Sequence, residues 1–226
     1  LFLLAESEDK DLFINAFDMG YNWEGHHIMN SMAQGQADVS DWDAYMKEID
    51  TTYQEDDFLM NFITNHDENA WSGTVKERMG DASETMLAMS YMIPGMPLIY
   101  SGQEYGLDHR LLFFEKDSIP KEKGQVWDVM ERLGMLKNEN PALNGGKNAA
   151  DYTRLTTSQD EKVLAFSRSK AQNEIVFIAN MSDDTVEFDV DHEGEFRDHL
   201  TTEEVRLAPD TQIELQPWEY KILLNN

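Results

Sequence analysis

The hydrophobic pattern changes period once, near residue 150, and that change asks for two kinds of architecture in one chain. Before it, largely apolar runs lie at 1–5, 58–64 and 97–100, with a weaker one at 16–23. Such runs belong to strands buried on both faces, as in parallel sheets covered by helices. Helical patterns lie near 26–33, 40–52, 74–93 and 125–137, with Ser40 placed to cap the second. Pro94 and Gly95 stop the third. This alternation is the rhythm of a parallel α/β fold. After the turn-rich Asn144-Gly145-Gly146-Lys147-Asn148 the period becomes two. Val186, Phe188 and Val190 alternate with Glu187, Asp189 and Asp191, and four further segments repeat the pattern. Short strands, turns and no helical pattern predict an antiparallel sandwich. The expected organisation is an α/β part over residues 1–147 and an all-β part over 148–226, the latter folding by itself.

Four strand–helix units cannot close an eight-fold β/α barrel, which takes about 250 residues. The 226-residue chain opens at Leu1, inside an apolar run, which suggests a piece of something longer. Its 44 acidic and 18 basic residues leave a net charge of −26. Such a field repels phosphate backbones and anionic membrane surfaces, so neither nucleic acid nor membrane is an expected partner. With no cysteine there is no disulfide, thiolate nucleophile or thiolate metal site. The apolar stretch 86–100 is broken by Pro94, Gly95 and Pro97 and is shorter than the roughly 20 residues of a bilayer span. Residues 1–4 are too few for a signal core and lack a basic flank. The compartment stays open between cytoplasm and periplasm or exterior.

Function in parallel α/β folds sits at the carboxyl ends of the strands. Those ends would deliver Glu6, then Tyr21 to Glu24, then Asn65-His66-Asp67-Glu68-Asn69, then Ser101-Gly102-Gln103-Glu104-Tyr105. Carboxylates crowded in one site push their pKa values apart, so that one can donate a proton while another stays charged. Amides and a histidine bind hydroxyls, and aromatic faces stack on sugar rings. The set suits a neutral polyhydroxylated substrate, and no phosphate-cradling glycine motif is present. Trp127, Trp218, Met86, Met89 and Met92 read as core. Trp23, Trp42 and Trp71 read as packing before sugar platforms. Adjacent His26 and His27 point to different helix faces and do not read as a metal pair.

Phe62-Ile63-Thr64-Asn65-His66-Asp67 resembles the strand-7 motif of the alpha-amylase family, glycoside hydrolase family 13. Residues 94–104 resemble its strand 8, Phe2-Leu3-Leu4-Ala5-Glu6 its strand 5, and the tail ending in Pro217-Trp218-Glu219-Tyr220 its C-terminal β-domain. The resemblance implies the second half of a (β/α)8 TIM barrel, strands 5–8, followed by a small antiparallel β-sandwich. It implies retaining cleavage of α-glucans, starch or maltooligosaccharides. Glu6, rather than Glu8, would be the acid/base and Asp67 the transition-state stabiliser, with His66, Asn65 and Tyr105 binding substrate. The strand-4 nucleophile and the inserted domain that often carries calcium would lie outside these residues, so the segment alone is expected to be inactive and needs no cofactor of its own. The alternatives are a non-catalytic carbohydrate-binding or partner subunit, and a family transglycosylase or isomerase.

Overall fold

The computed structural model describes residues 1–54 and 56–225. Strands β1 (Leu4–Ala5), β2 (Met19–Tyr21), β3 (Leu59–Asn61) and β4 (Met96–Pro97) form a parallel sheet in that order. Helices α1 (Trp23–Ala33) and α2 (Val39–Thr52) carry the chain from β2 to β3. Helices α3 (Val75–Met79) and α4 (Ser83–Met92) carry it from β3 to β4, and α5 (Gln125–Glu139) follows. The turn into β4 depends on Gly95, at φ +113°, where a Cβ would lie 2.3 Å from the Leu59 carbonyl oxygen.

Three local expectations are corrected. The helical pattern 74–93 is two helices, because Gly80 at φ +51° ends α3 and a 3₁₀ turn precedes Ser83. The cap of α2 is Asp38, not Ser40: Asp38 and Asp41 form a capping box, and the Ser40 N–H donates to Asp38 at 2.7 Å. Residues 1–4 are exposed rather than buried, and only Ala5 of β1 turns inward. The reason is position, since β1 is the outer strand of its sheet and nothing among the described residues covers that edge.

Met86, Met89 and Met92 on α4 are fully buried, as their spacing requires. Trp42 and Trp218 are buried too. Trp127 is not core: it is partly exposed on α5, with Lys123 Nζ 3.8 Å from the centre of its ring.

The second part is a six-stranded antiparallel sheet, with β5 (Asp151–Arg154), β6 (Val163–Lys170), β7 (Asn173–Asn180), β9 (Gly194–Asp198), β10 (Glu204–Leu207) and β12 (Tyr220–Asn225). Their order is β10-β9-β12-β7-β6-β5, and β8 (Val186–Phe188) pairs separately with β11 (Ile213–Leu215). Val163, Ala165, Val176 and Ile178 meet Val186, Phe188 and Leu215 inside the sandwich. The alternate residues Leu164, Phe166, Ile175 and Phe177 join the methionine-rich core of α4 and α5. The sheet therefore serves two cores. Its packing does not support the expectation that residues 148–226 fold alone.

Two cations lie at this shared seam, Arg168 fully buried and Lys137 half-buried. Lys137 on α5 donates to the Gly95 and Leu143 carbonyls, each at 2.8 Å. Burial, reinforced by nearby Arg168, lowers the Lys137 pKa to about 7 from 10.5. Below pH 7 the folded and unfolded chains both carry this proton. Between pH 7 and 10 the unfolded chain still holds it and the folded chain does not, so stability rises with pH, by at most about 1.4 kcal/mol per unit. Thermal melts between pH 7 and 9 should show that rise and Lys137→Met should flatten it; equal slopes for both would refute the assignment. Above that window the buried tyrosines enter with the opposite sign, because burial raises the pKa of Tyr152 and Tyr220.

Candidate active site

The carboxyl end of β1 delivers Glu6 at once, whereas β3 continues as buried Phe62-Ile63-Thr64 before Asn65-His66-Asp67. These two ends converge. His66 Nε2 lies 3.5 Å from Glu6 Oε1 and 3.6 Å from Asp67 Oδ2. The three side chains are 54%, 45% and 40% exposed for Glu6, His66 and Asp67, so the group opens to solvent. Glu8 is drawn elsewhere: its carboxylate accepts from the Glu24 N–H at 3.0 Å and its carbonyl accepts from the Tyr53 hydroxyl at 2.6 Å.

Tyr21, at the end of the intervening β2, is buried between them. Burial raises its hydroxyl pKa, and the charges of Glu6 and Asp67 raise it further. It therefore stays protonated at neutral pH and can donate a hydrogen bond there. Tyr21 belongs to the rim expected from the sequence, and its place on the strand between the two acids is the signal that picks it out.

The loop carrying His66 and Asp67 is held from below. The buried Asn65 Oδ1 accepts from the Glu68 N–H at 2.7 Å, and its Nδ2 is buried without a partner among the described residues. Glu68 begins a single π-helical turn, Glu68–Ser72, a geometry common at functional sites. Its carboxylate lies 3.2 Å from Nε2 of the fully buried His26 and 3.9 Å from Arg78. The His26 interaction holds the Glu68 pKa below its ordinary value, while burial lowers that of His26. Arg78 also donates to the Ile63 carbonyl at 2.7 Å. His26 is thus a structural anchor, and pairing between residues 42 positions apart leaves no sequence signal.

Tyr105 is not brought into this group. Its ring packs 5.4 Å from that of Trp127 on α5, and no contact among the described residues joins it to Glu6, His66 or Asp67. The physical reason is the short 3₁₀ turn Gln103–Tyr105 between two left-handed glycines, which sets Tyr105 against the helix.

The donor atoms of Glu6, His66 and Asp67 all lie within 4.8 Å of one another, close enough to hold a divalent cation. One imidazole and two carboxylates are fewer oxygens than the six to eight that calcium takes. Chemically, the set brings two carboxylates and an imidazole together on one open rim. No helix among the described residues is long and apolar enough to cross a membrane.

A parallel strand–helix sheet that ends in acids, joined to an antiparallel sheet, defines the fold class. The model of the alpha-amylase catalytic domain matches residues 6–180, and that of the maltogenic amylase C-terminal domain matches 153–222. The chain belongs to the alpha-amylase family. No curated protein matches it. Among solved structures it is similar to a noncanonic maltogenic alpha-amylase from Thermotoga neapolitana, with 18% identity over 99% of this chain and 54% of that one, TM-score 0.85. An alpha-amylase from Lactobacillus plantarum shares 20% identity over 97% of this chain and 50% of its own, TM-score 0.79. An alpha-amylase from Geobacillus thermoleovorans, solved with acarbose, shares 17% over 99% and 53%, TM-score 0.73. The chain spans about half the length of these structures.

Proposed function

We propose that these residues are the C-terminal half of a retaining glycoside hydrolase acting on α-glucans, with β1 to β4 as strands 5 to 8 of a (β/α)8 barrel. The observation that carries the reading is the convergence of Glu6, His66 and Asp67 from two non-adjacent strands of one sheet. The acarbose bound in the Geobacillus thermoleovorans structure supports an oligosaccharide substrate. Glu6 protonates the glycosidic oxygen and then activates water, Asp67 stabilises the oxocarbenium-like transition state, and His66 and Asn65 hold sugar hydroxyls. Retention requires a nucleophilic carboxylate about 5–5.5 Å from the acid/base. By resemblance that nucleophile belongs to the strand preceding β1, outside these residues.

The 226 residues alone are expected not to hydrolyse maltoheptaose, and the polypeptide extended through the upstream coding region is expected to do so. A reducing-sugar assay on both decides it. Near-equal activity in the two would discard the missing-nucleophile reading, and inactivity of the extended polypeptide would discard hydrolysis.

A further inference from the structure

Arg78 on α3 is buried, and its guanidinium reaches three separate segments of the chain. Nε donates to the Gly73 carbonyl at 3.0 Å and Nη2 to the Ile63 carbonyl at 2.7 Å. Nη1 donates to the Asn30 side-chain oxygen on α1 and lies 3.9 Å from the Glu68 carboxylate. Ile63 and Gly73 stand on either side of His66 and Asp67, ten positions apart. One planar fork thus closes this segment from beneath at both ends, which a single-point donor cannot do.

The sequence fixes where that fork emerges. Gly73, at φ +126°, turns the chain out of the π-helical turn. Thr74 then opens α3 with a capping box. Its hydroxyl accepts from the Glu77 N–H at 3.1 Å, and its own N–H donates to the Glu77 carboxylate at 2.7 Å. The next residue is Arg78, whose N–H donates to the Thr74 carbonyl at 3.1 Å. His26 grips the same segment from α1: its Nδ1 lies 3.0 Å from the Phe62 carbonyl and its Nε2 3.2 Å from Glu68. The carbonyls of Phe62 and Ile63, just before Asn65-His66-Asp67, and Glu68 and Gly73, just after, are therefore all held by buried side chains.

We infer that Arg78 is a positioning residue for the reaction, holding Asp67 and His66 at their separation from Glu6 by clasping Ile63 and Gly73. This rests on the glycoside hydrolase reading above. Arg78 acts through the loop and takes no part in bond making. A shift of about 1 Å in a catalytic group is enough to lower a rate by about 10²-fold. Buried ties beneath the reacting groups are what keep such a shift from happening.

The test uses the extended polypeptide on maltoheptaose, each variant assayed below its own melting temperature. Arg78→Lys keeps the charge and the stem but offers one donor point, and it should lower kcat about tenfold with KM within about threefold. Arg78→Met removes every donor and should lower kcat about 10²-fold. In the Asp67→Asn background either change should lower kcat by no more than about threefold further, because residues that act as a unit are not additive. A folded Arg78→Lys with kcat within about twofold of the parent would overturn the positioning role and leave the hydrolase reading standing. So would full multiplication of the two losses in the double variant, which marks an effect independent of Asp67. If Arg78→Met does not fold, Arg78→Lys decides by the same two readings. A parent that cleaves no maltoheptaose would take down the hydrolase reading, and the positioning role with it.

Discussion

Glu6→Gln in the extended polypeptide is expected to lower kcat on maltoheptaose by about 10²–10⁴-fold, with KM changed by no more than about threefold. Glutamine keeps the shape and the hydrogen-bonding reach of the side chain but can neither give a proton to the departing oxygen nor take one from water. The loss should therefore fall on the chemical step and not on binding. Glu8→Gln supplies the contrast. Glu8 lies two residues further on, but its carboxylate accepts from the Glu24 N–H at the start of α1, away from His66. Its removal should leave kcat near the parent value. Asp67→Asn should also lower kcat, because a transition state with positive character loses a neighbouring negative charge. If Glu6→Gln retains kcat within tenfold of the parent, Glu6 is not the proton donor, and the assignment from the strand-5 resemblance fails. If Glu8→Gln is the damaging change, the acid sits two residues later than the strand end predicts.

What could be read in the residues was what local order records. A strand buried on both faces is an apolar run, so Phe62-Ile63-Thr64 announced the approach to Asn65-His66-Asp67, and the turn of chain after Ala5 announced Glu6. The change of period near 150 separated the parallel sheet from the antiparallel one. What stayed hidden depends on partners far away in the chain. Tyr105 looked like a rim residue until Trp127, 22 positions later, took its ring. Trp71 looked like packing, but it is 62% exposed and its ring neighbours, Phe113 and Phe114, come 42 and 43 residues on. Residues 1–4 looked buried because apolar strands normally are; among the described residues nothing covers the outer edge of β1, and no local pattern reports which neighbour a strand has. The double use of β6 and β7 was hidden for a related reason. Alternation shows that two faces differ, but here both faces are apolar and each meets a different core.

Arg168 is the residue where that hidden seam carries most consequence. It sits on β6, fully buried, in phase with Leu164 and Phe166, where alternation would place an apolar residue. Its guanidinium donates to the carbonyls of Met92 and Asn144, both at 2.9 Å, of Asp151 at 3.2 Å and of Ala150 at 3.3 Å. One side chain thus satisfies the last carbonyl of α4, the joint after α5 and the start of β5. Arg168→Met keeps most of the volume and strands these buried acceptors. An unsatisfied buried acceptor costs about 1–3 kcal/mol, and relief from burying a cation offsets part of the sum, so the expected net loss is roughly 2–4 kcal/mol. Urea unfolding should show it as a lower midpoint with an unchanged slope. Arg206→Met is the control, because Arg206 faces Glu195 at 3.5 Å with both side chains largely in water, where an ion pair contributes little. A second consequence distinguishes a seam cation from a mere space filler. Arg168 helps to lower the Lys137 pKa, so its removal should raise that pKa and move the pH-dependent gain in stability to higher pH. If Arg168→Met unfolds at the same urea concentration as the parent, and its stability rises over the same pH window, then the carbonyls find other donors and α4 is not joined to the antiparallel sheet through this guanidinium.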